Sequence, residues 1–588
     1  AITTEYFYDS AGRLEKTRDA LLNWTVMTLD QRGQILSTTV AHGTSDAVTT
    51  TRSYDAVGRL TSESRADGTA EEQTTAYGYN ALGDLVSITR AVGTPAERLT
   101  MRKYDGLGRL KGELSGIGSA LVAALGPNPD DELIWAEYGT LFDYDTAGRL
   151  TVRSDANGAR TLFYYDTADR LAYQVDALGD VVEHRYNRFG DRTDTIRYAA
   201  RIGIETLSGM AGGAAAGAAG IVAALADPSL DEQRVASYDA AGRLALEAGQ
   251  LGSYTSYSYN SFGEVELRRV ALAESASPGV ATEIETSFAY DRRGSLKTEI
   301  VDSALGGKAV TTGHDYDAFG REIALTDPNS HATATEYDRA GRIIGTTDAL
   351  ENTTSFTYDA RGNLVAVKDA LNQVTRYVYD RADRLIFTVD ALGDVVETSY
   401  DGGDGVAATR AYANAISLAG FGLQISAADV TGRLSADADD RITRNAYDKD
   451  GRLRFTVDGA AGLTEYRYDD VGNAIRTIHY GWTVSPASTY TMEDLQAQVD
   501  AHAADPMRIT RAVHDAVGRV AFAIDATGNV TAFAYDSAGR AIKQTALATA
   551  YEGGEDPLAD VMRDWAAANP HPDDRVSRAV YDREGRLV

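Results

Sequence analysis

The sequence predicts a mainly β protein of stacked β-hairpins, with short α-helical insertions between groups of hairpins. The first observation behind this prediction is a Tyr-Asp dipeptide that returns along the whole chain. The second is that the short segments between the returns are rich in β-branched and aromatic residues. The third is composition, because 56 glycines against 11 prolines in 588 residues favour many tight turns over an extended linker.

The repeated dipeptide marks a turn. Tyr is followed by Asp or Asn at nineteen places, which use nineteen of the 33 tyrosines. Sixteen of these have Gly four residues after the Tyr, and the other three have Asp169, Asp383 or Asp404 there. Gly, and less easily Asp, tolerates a positive φ, so we expect a left-handed turn residue at this position. The preceding Asp side chain can bond the turn backbone.

The spacing defines the repeating unit. The step is 21 residues from Tyr144 through Tyr165 to Tyr186, and again along the series from Tyr316 to Tyr400. A second turn signal follows each Tyr by eleven residues, as in DALGD from Asp390. Each repeat therefore predicts one β-hairpin. Since a lone hairpin buries too little apolar surface to be stable, successive hairpins should stack into a continuous sheet.

The site residues that we predict are structural, and we expect no catalytic, cofactor-binding or metal-binding residue. The tyrosines should form a ladder along one face, each rung contributing about 0.2 to 1 kcal/mol. The predicted repeat positions are Tyr54, Asp55, Gly58, Tyr144, Gly148, Tyr165, Tyr186, Gly190, Tyr238, Gly242, Tyr316, Gly320, Tyr337, Gly341, Tyr358, Gly362, Tyr379, Tyr447, Gly451, Tyr468, Gly472, Tyr535, Gly539, Tyr581 and Gly585.

The YDxxGRL segments at 21-residue spacing, such as YDAVGRL from Tyr54, closely resemble the YD repeat of Rhs proteins, Tc toxin C subunits and teneurins. The resemblance covers essentially the whole chain. It implies that the hairpins wind as a spiral sheet into a hollow shell or tube, and that the shell encloses a toxic C-terminal polypeptide. Shells of this family are often closed by an aspartate autoprotease region, and this sequence shows no such segment.

We expect residues 1–588 to form one continuous array, as a segment of a longer protein, interrupted by helix-bearing insertions. The Tyr-to-Tyr step lengthens to 52 after Tyr186 and to 47 after Tyr400, and His514 stands where a repeat Tyr is expected. Thr491 is a candidate helix cap, because acidic residues follow it in the first turn. The helices either cover the sheet or contact partner chains. The insertions are predicted at about 113–137, 199–233, 411–440, 481–508 and 547–574.

Composition excludes several classes of function. Lys plus Arg is 57 and Asp plus Glu is 86, so 57 − 86 gives a net charge of −29, which repels nucleic acid and anionic lipid. With no cysteine, a disulfide framework or thiolate metal site is impossible. The Ala- and Gly-rich insertion at 203–227 is too weakly apolar for a membrane span, so we predict a packed helical insertion instead.

Few residues suggest chemistry. The eight histidines are scattered without the spacing of metal ligands. Neighbouring acids such as Asp439 and Asp440, or Asp573 and Asp574, fit helix caps or turns better than a glycosidase pair, because adjacent residues do not face each other across a cleft. The segment DGGDGV from Asp401 resembles part of a calcium-binding roll, but it occurs once, which favours turn chemistry.

We therefore predict a non-enzymatic structural protein of the bacterial surface or extracellular space, without cofactors. In the first interpretation it self-assembles as a tube, filament or adhesin-like scaffold, and its partners are copies of itself or the remainder of a longer array. In the second it is an Rhs-type shell around a C-terminal toxin polypeptide. In the third it binds surface glycans, for which the abundant Tyr is the sole support. Nucleic acid partners and a membrane span are not expected.

Overall fold

The computed structural model describes residues 3–125, 132–249, 252–271, 283–303, 309–554, 556–581 and 586–587. Within these residues the chain forms 42 strands in one open sheet and seven helices. The predicted fold class, mainly β with short helical insertions, is confirmed.

The strands are mostly five to seven residues long, which is the usual length in globular proteins. In chain order they are Glu5–Tyr8 (β1), Leu14–Arg18 (β2), Trp24–Leu29 (β3), Ile35–His42 (β4), Val48–Tyr54 (β5), Leu60–Arg65 (β6), Gln73–Tyr79 (β7), Leu85–Arg90 (β8), Arg98–Tyr104 (β9), Leu110–Leu114 (β10), Gly139–Tyr144 (β11), Leu150–Ser154 (β12), Arg160–Tyr165 (β13), Leu171–Val175 (β14), Val181–Tyr186 (β15), Arg192–Arg197 (β16), Gly213–Ala214 (β17), Glu232–Tyr238 (β18), Leu244–Gly249 (β19), Tyr254–Tyr259 (β20), Val265–Ala271 (β21), Glu283–Tyr290 (β22), Leu296–Ser303 (β23), Val310–Tyr316 (β24), Glu322–Thr326 (β25), Ala332–Tyr337 (β26), Ile343–Thr347 (β27), Thr353–Tyr358 (β28), Leu364–Lys368 (β29), Val374–Tyr379 (β30), Leu385–Val389 (β31), Val395–Tyr400 (β32), Val406–Ala411 (β33), Arg441–Tyr447 (β34), Leu453–Val457 (β35), Gly462–Tyr468 (β36), Ala474–Thr483 (β37), Met507–His514 (β38), Val520–Ile524 (β39), Val530–Tyr535 (β40), Ala541–Leu547 (β41) and Arg575–Arg578 (β42).

The helices lie within the insertions that the sequence predicts. They are Gly116–Leu125 (α1), Glu132–Tyr138 (α2), Ile204–Ser208 (α3), Ala216–Ala223 (α4), Ala427–Thr431 (α5), Met492–Ala501 (α6) and Ala559–Ala568 (α7). Thr491 caps α6 as predicted, because its hydroxyl accepts from the Asp494 N–H and the Asp494 carboxylate accepts from the Thr491 N–H. Residues 126–131, between α1 and α2, lie outside the described part of the chain.

Consecutive strands pair antiparallel, so each repeat is a hairpin. In the pair of β30 and β31, Val378 lies opposite Phe387 and Tyr379 opposite Leu385, so the register shifts by one residue at the repeat Tyr. The same shift recurs at the other repeat tyrosines, for example between β28 and β29. A β-bulge of this kind bends the strand and raises its twist. Each hairpin therefore enters its turn with the same local bend.

The chain divides into two compact units, each assembled from separate stretches of sequence. Unit 1 comprises Ala1–Ile134, Thr333–Arg467 and Ile478–Arg508. Unit 2 comprises Trp135–Ala332, Tyr468–Thr477 and Ile509–Val588. In both units, stretches that are far apart in sequence are close in space.

The best-buried apolar residues lie where an insertion packs on the sheet. In unit 1, Val430 of α5 shares a hydrophobic cluster with Phe387 and Val389 of β31, and Leu495 of α6 shares one with Phe455. Further clusters of this kind lie in unit 2 under α4, through Val222, and under α7, through Met562. The helices thus cover parts of the sheet, while contact with partner chains stays a prediction.

One feature of the 203–227 insertion has no signal in the sequence. Its residues 213–214 form β17, which pairs in parallel with β13. Gly212 has φ 71°, and a Cβ there would lie 2.2 Å from the Thr151 carbonyl oxygen. The glycines of this segment thus allow close approach to the sheet. No described helix is both long and apolar enough to cross a membrane.

Candidate functional site

Most repeat turns are closed by one aspartate, and the turns at Asn80, Asn187 and Asn260 use an asparagine in its place. In the turn after Tyr379, one carboxylate oxygen of Asp380 accepts from the backbone N–H of Ala382 at 2.8 Å and of Arg384 at 2.9 Å. The other oxygen accepts from the Nε of Arg384 at 2.7 Å. The same Asp–Arg contact recurs in turns along the chain, for example at Asp55 and Arg59. Hydrogen bonds to a charged carboxylate are stronger than neutral ones, so this clamp fixes the turn.

The fourth residue after the Tyr has the predicted left-handed conformation. Gly341 has φ 88° and Gly362 has φ 103°. The three aspartates that replace Gly, at 169, 383 and 404, have φ between 62° and 66°. Their side chains also have a function that the sequence did not suggest. Asp169 pairs with Arg149 at 2.5 Å, Asp383 with Arg361 at 2.7 Å, and Asp404 with Arg384 at 3.2 Å.

Where a turn has an arginine after its left-handed residue, that arginine connects one repeat to the next. The guanidinium of Arg384 stacks over the ring of Tyr400, with 4.8 Å between the guanidinium carbon and the ring centroid. Its Nη1 donates to the Asp401 carbonyl at 3.3 Å. The Tyr400 hydroxyl in turn donates to the Leu385 carbonyl at 2.9 Å. Aspartate, arginine and the next tyrosine therefore form one bonded chain, and the cation–π contact adds about 0.5 to 2 kcal/mol per rung.

The predicted site residues occupy equivalent places. All predicted tyrosines except Tyr581 end a strand, and Tyr581 forms an isolated bridge with Leu587. The predicted glycines from Gly58 to Gly539 have positive φ, and Gly585 lies outside the described residues. His514 ends β38 opposite Val520, as a repeat Tyr would, and Asp515 then clamps Arg519. The predicted tyrosines whose hydroxyls donate to a carbonyl of an earlier strand include Tyr54, Tyr165, Tyr186, Tyr238, Tyr358, Tyr447 and Tyr535.

In unit 1, turns of hairpins more than 300 residues apart are bonded to each other, and we name this contact seam 1. Its one side is formed by the second turns of residues 41–98, and its other side by the Tyr-Asp turns of residues 359–405. Arg381 donates to the Ala47 carbonyl at 2.9 Å, and Arg98 donates to the Gly403 carbonyl at 3.3 Å. Gln73 also donates to the Asp404 carboxylate.

The DGGDGV segment is explained by seam 1. Asp401 accepts from the N–H groups of Gly403 and Gly405, which is ordinary turn chemistry. A Cβ on Gly402 would lie 2.5 Å from the Thr94 hydroxyl oxygen, so the glycine allows two turns to approach closely. In the described part of the chain no three metal-ligating side chains come together.

Unit 2 contains a contact of the same kind, which we name seam 2. Asn157 donates to the Asp469 carboxylate at 3.0 Å, and Arg540 pairs with Glu232 at 2.6 Å. Asn157 lies in a second turn and Glu232 lies at the end of an insertion. Their partners, Asp469 and Arg540, both lie in Tyr-Asp turns. The two seams show that the turn sequences both close hairpins and join distant stretches of the sheet edge to edge.

The comparisons with known proteins agree with this geometry. The family model described as RHS Repeat matches residues 54–95, 316–353, 337–371 and 358–395. The residues in these ranges match the RHS repeat. No curated protein sequence matches the chain. The turn clamp, the arginine stack and the tyrosine ladder described above are thus the physical content of the RHS repeat in this protein.

Solved structures resemble the whole chain in fold. The crystal structure of TcdB2-TccC3-Cdc42 matches with a TM-score of 0.59 at 12% identity, over 100% of this chain and 32% of that one. TcdB2-TccC3 matches with a TM-score of 0.59 at 13% identity, over 100% of this chain and 30% of that one. The protein thus spans about a third of the length of these chains.

Insertions between groups of hairpins are anchored at second turns. The Ile416 N–H donates to the Gly393 carbonyl at 2.8 Å, and the Ile202 N–H donates to the Gly179 carbonyl at 2.9 Å. Each of these glycines has positive φ, and a Cβ would lie within 2.3 Å of the carbonyl oxygen of the residue that docks on it. The glycine therefore serves both the turn and the docking of the insertion.

A tyrosine–glutamate contact lies beside each anchor, and it is buried at Tyr198 and partly buried at Tyr412. Tyr198 donates to Glu183 at 2.6 Å, and Tyr412 donates to Glu397 at 2.6 Å. Burial, then the bond to Glu397, raises the pKa of Tyr412 to about 12. The equivalent Glu465 accepts from Tyr480 and is fully buried.

The neighbouring acids close the insertions. Asp440 accepts from the Ala413 N–H at 2.8 Å and pairs with Arg410. Asp574 accepts from the Ala548 N–H at 2.8 Å. In each case the second acid of the pair joins the end of one strand to the start of the next, so the turn interpretation of these acids agrees with the structure.

Because the turn aspartates have lowered pKa values, the stability of the fold should decrease at low pH. Hydrogen bonds from the Thr527 and Asn529 side chains lower the pKa of Asp525 to about 2, and bonds from the Arg243 N–H and guanidinium lower that of Asp239. A pKa depressed by folding stabilises the protein above the unfolded value, near 4, and this stabilisation is lost as the pH falls through the folded value. We expect the urea midpoint to fall between about pH 4 and about pH 2.

The measurement is urea unfolding by circular dichroism at a series of pH values from about 5 to about 2. In the Asp525→Asn variant the fall should be smaller, because Asn cannot gain the proton that the carboxylate gains. A midpoint that stays constant down to about pH 2 would contradict the role of the turn carboxylates.

Proposed function

We propose that this chain is a stretch of the wall of an Rhs-type shell, a non-catalytic structural element at the bacterial surface or in the extracellular space. The shell would enclose a polypeptide of the longer protein to which the chain belongs. The observation that carries the proposal is the pair of seams, in which turns more than 300 residues apart are bonded.

A closed wall requires contacts like those of the two seams, in which turns of distant hairpins are hydrogen-bonded to each other. An open sheet edge leaves unpaired polar groups and a gap through which a protease or an enclosed chain can pass. In seam 1 the gap is filled by glycine backbone and by guanidiniums that donate to carbonyls, as at Arg98 and Gly403. The insertions add a second layer over the sheet at α5 and α6. A sheet with bonded turns and insertions packed over parts of it suits containment better than reversible binding.

A non-catalytic function is supported by the state of the carboxylates. The repeated turn aspartates would be the most abundant candidates for acid–base chemistry. Asp380 and its equivalents are instead occupied by backbone N–H groups and an arginine. A carboxylate that accepts three such hydrogen bonds is a poor base, since the bonds favour its charged form. Their arrangement therefore supports stability rather than catalysis.

Electron microscopy of the native, untruncated protein tests the proposal. Closed particles with density inside are expected. Arg98→Glu places a carboxylate against Asp401 and the Gly403 carbonyl, so it should open seam 1 and admit protease to the enclosed polypeptide. Arg102→Glu is the matched control, because Arg102 lies on the same strand but pairs within the sheet with Glu113 at 2.7 Å.

Two results would contradict the proposal. Long tubes or fibres with an axial repeat and no interior density would favour the self-assembling scaffold instead. Equal protease access in the Arg98→Glu and Arg102→Glu variants would show that seam 1 does not seal the wall.

A further inference from the structure

A cavity of about 420 Å³ lies in unit 1, between β30, the second turn around Asp46 and the chain that enters α5. Its lining includes the side chains of Asp46, Arg361, Tyr377, Tyr379 and Gln424. The volume is within the range of small-molecule sites, about 300 to 1,000 Å³. The proposed shell function makes no use of this cavity.

Tyr379 departs from the tyrosine ladder at this place. In the repeats on either side, Tyr358 donates to the Ile343 carbonyl and Tyr400 to the Leu385 carbonyl, both at 2.9 Å. The hydroxyls of Tyr379 and of Tyr377, which lies two residues earlier on β30, are bonded to no group in the described part of the chain. The cavity is therefore lined by two tyrosines whose hydroxyls can both donate and accept and have no bond to the described residues.

Arg361 supplies an unused buried donor. Its side chain is 9% exposed, and its Nη1 donates to the Asp380 carbonyl at 3.0 Å. Its Nε has no hydrogen-bond partner among the described residues and lies 3.7 Å from the Asp359 carboxylate. A buried donor without a partner is costly, which favours a bound group that accepts from it.

Acceptors lie in the same cavity. Among the described residues, the Asp46 carboxylate has only long contacts, to the Ser45 hydroxyl and the Ala360 N–H, both at 3.4 Å. The Gln424 amide forms no side-chain bond with the described residues. The cavity thus presents a carboxylate, an amide, two phenols and a guanidinium Nε, with aromatic surface from the tyrosines.

We propose that this cavity binds a neutral monosaccharide. Sugar hydroxyls both donate and accept, so they match a lining that offers donors and acceptors side by side. An anionic ligand would face the carboxylates of Asp46, Asp359 and Asp429, which line the cavity. A cationic ligand would face the guanidiniums of Arg361 and Arg381, which line it as well. Because the lining contains both acidic and basic side chains, a neutral ligand fits it better than a charged one.

The test is saturation-transfer NMR and calorimetric titration of the 588-residue protein with glucose, galactose, mannose and N-acetylglucosamine. We expect at least one of them to bind in the millimolar range. Asp46→Asn and Tyr379→Phe should each weaken that affinity about tenfold, by the loss of one hydrogen bond to the sugar. Tyr400→Phe is the matched control and should leave the affinity unchanged, because Tyr400 bonds Leu385 and does not line the cavity.

Three outcomes would overturn the proposal. The first is no binding of any of these sugars up to about 10 mM. The second is binding that Asp46→Asn and Tyr379→Phe leave unchanged. The third is a preference for glucuronate or glucosamine over the neutral sugars, which would mean that a charge is recognised. The cavity lies at seam 1, where the Ala360 N–H donates to Asp46. Failure of sugar binding would nevertheless leave the contact between Arg98 and Gly403 in place, so the shell proposal is tested separately.

Discussion

Gly393→Ala is expected to release the insertion between β33 and β34 from the sheet. Gly393 has φ 93°, where an L-residue costs about 1 to 2 kcal/mol. A Cβ would lie 2.2 Å from the Ile416 carbonyl oxygen, so the backbone of the insertion must move. That movement breaks the bond from the Ile416 N–H and loosens the packing of Ile416 and Val430, which are 6% and 0% exposed.

The total cost should be about 3 to 5 kcal/mol, the sum of the strain, one hydrogen bond and the loosened packing. Amide hydrogen exchange measures it, as a loss of protection in residues 412–431 that leaves the neighbouring hairpins protected. Gly320→Ala is the control. Gly320 has a similar φ of 81°, but a Cβ there meets nothing within 4 Å, so about 1 kcal/mol is expected. If both variants lose the same protection, the insertion is not anchored at Gly393.

The sequence predicts the repeat and its turns because their determinants are local. The clamp of Asp380, the positive φ four residues after the Tyr and the cap at Thr491 each depend on residues within five positions. Turn chemistry and capping have residue preferences strong enough to be read directly. Because the same turn sequence returns with a period of 21 residues, the hairpin predicted for one repeat can be predicted for the others along the chain.

The seams could not be predicted in this way. Arg98 and Gly403 are 305 residues apart, and neither is unusual in its own turn. The position of one stretch against another depends on how twist and bulges add up over many hairpins, which no single residue sets. Every YDxxGRL segment contains the repeat arginine, so its presence is clear from the sequence. That this arginine stacks on the Tyr of the next repeat is evident only from the three-dimensional structure.

The candidate cavity was missed for a related reason. Tyr379 is predicted as an ordinary ladder rung, and its sequence context does not distinguish it from Tyr400. Only the packing of a distant turn at Asp46 and of the chain near Gln424 places an unbonded hydroxyl in a cavity. Glu465 is similar, because a Glu in an alternating strand suggests a solvent-facing side chain, while the structure buries it completely beneath an insertion.

Glu465→Gln is expected to be the most damaging charge change in unit 1. Glu465 is 0% exposed and pairs with Arg454 at 2.6 Å and with Arg467 at 2.7 Å, while Tyr480 donates to its second oxygen. Burial lowers the pKa of Arg454, and the Glu465 charge opposes this effect. Gln preserves the shape and can still accept from Tyr480. It leaves two partly buried guanidiniums without their carboxylate, which should cost about 3 kcal/mol.

Comparison with Glu397→Gln separates the effect of the glutamate charge from the effect of its hydrogen bond to tyrosine. Glu397 occupies the equivalent place and accepts from Tyr412 at 2.6 Å, and no described arginine lies within ion-pair distance of it. We expect a loss below about 1 kcal/mol there, since the amide also accepts from the phenol. The measurement is hydrogen exchange in α6 for Glu465→Gln and in α5 for Glu397→Gln. Equal losses would mean that the tyrosine bond, and not the arginine pair, holds the insertion on the sheet. A larger loss of protection in Glu465→Gln would mean that the arginine pair stabilises the packing of α6. That pair lies where Leu495 and Phe455 already exclude water.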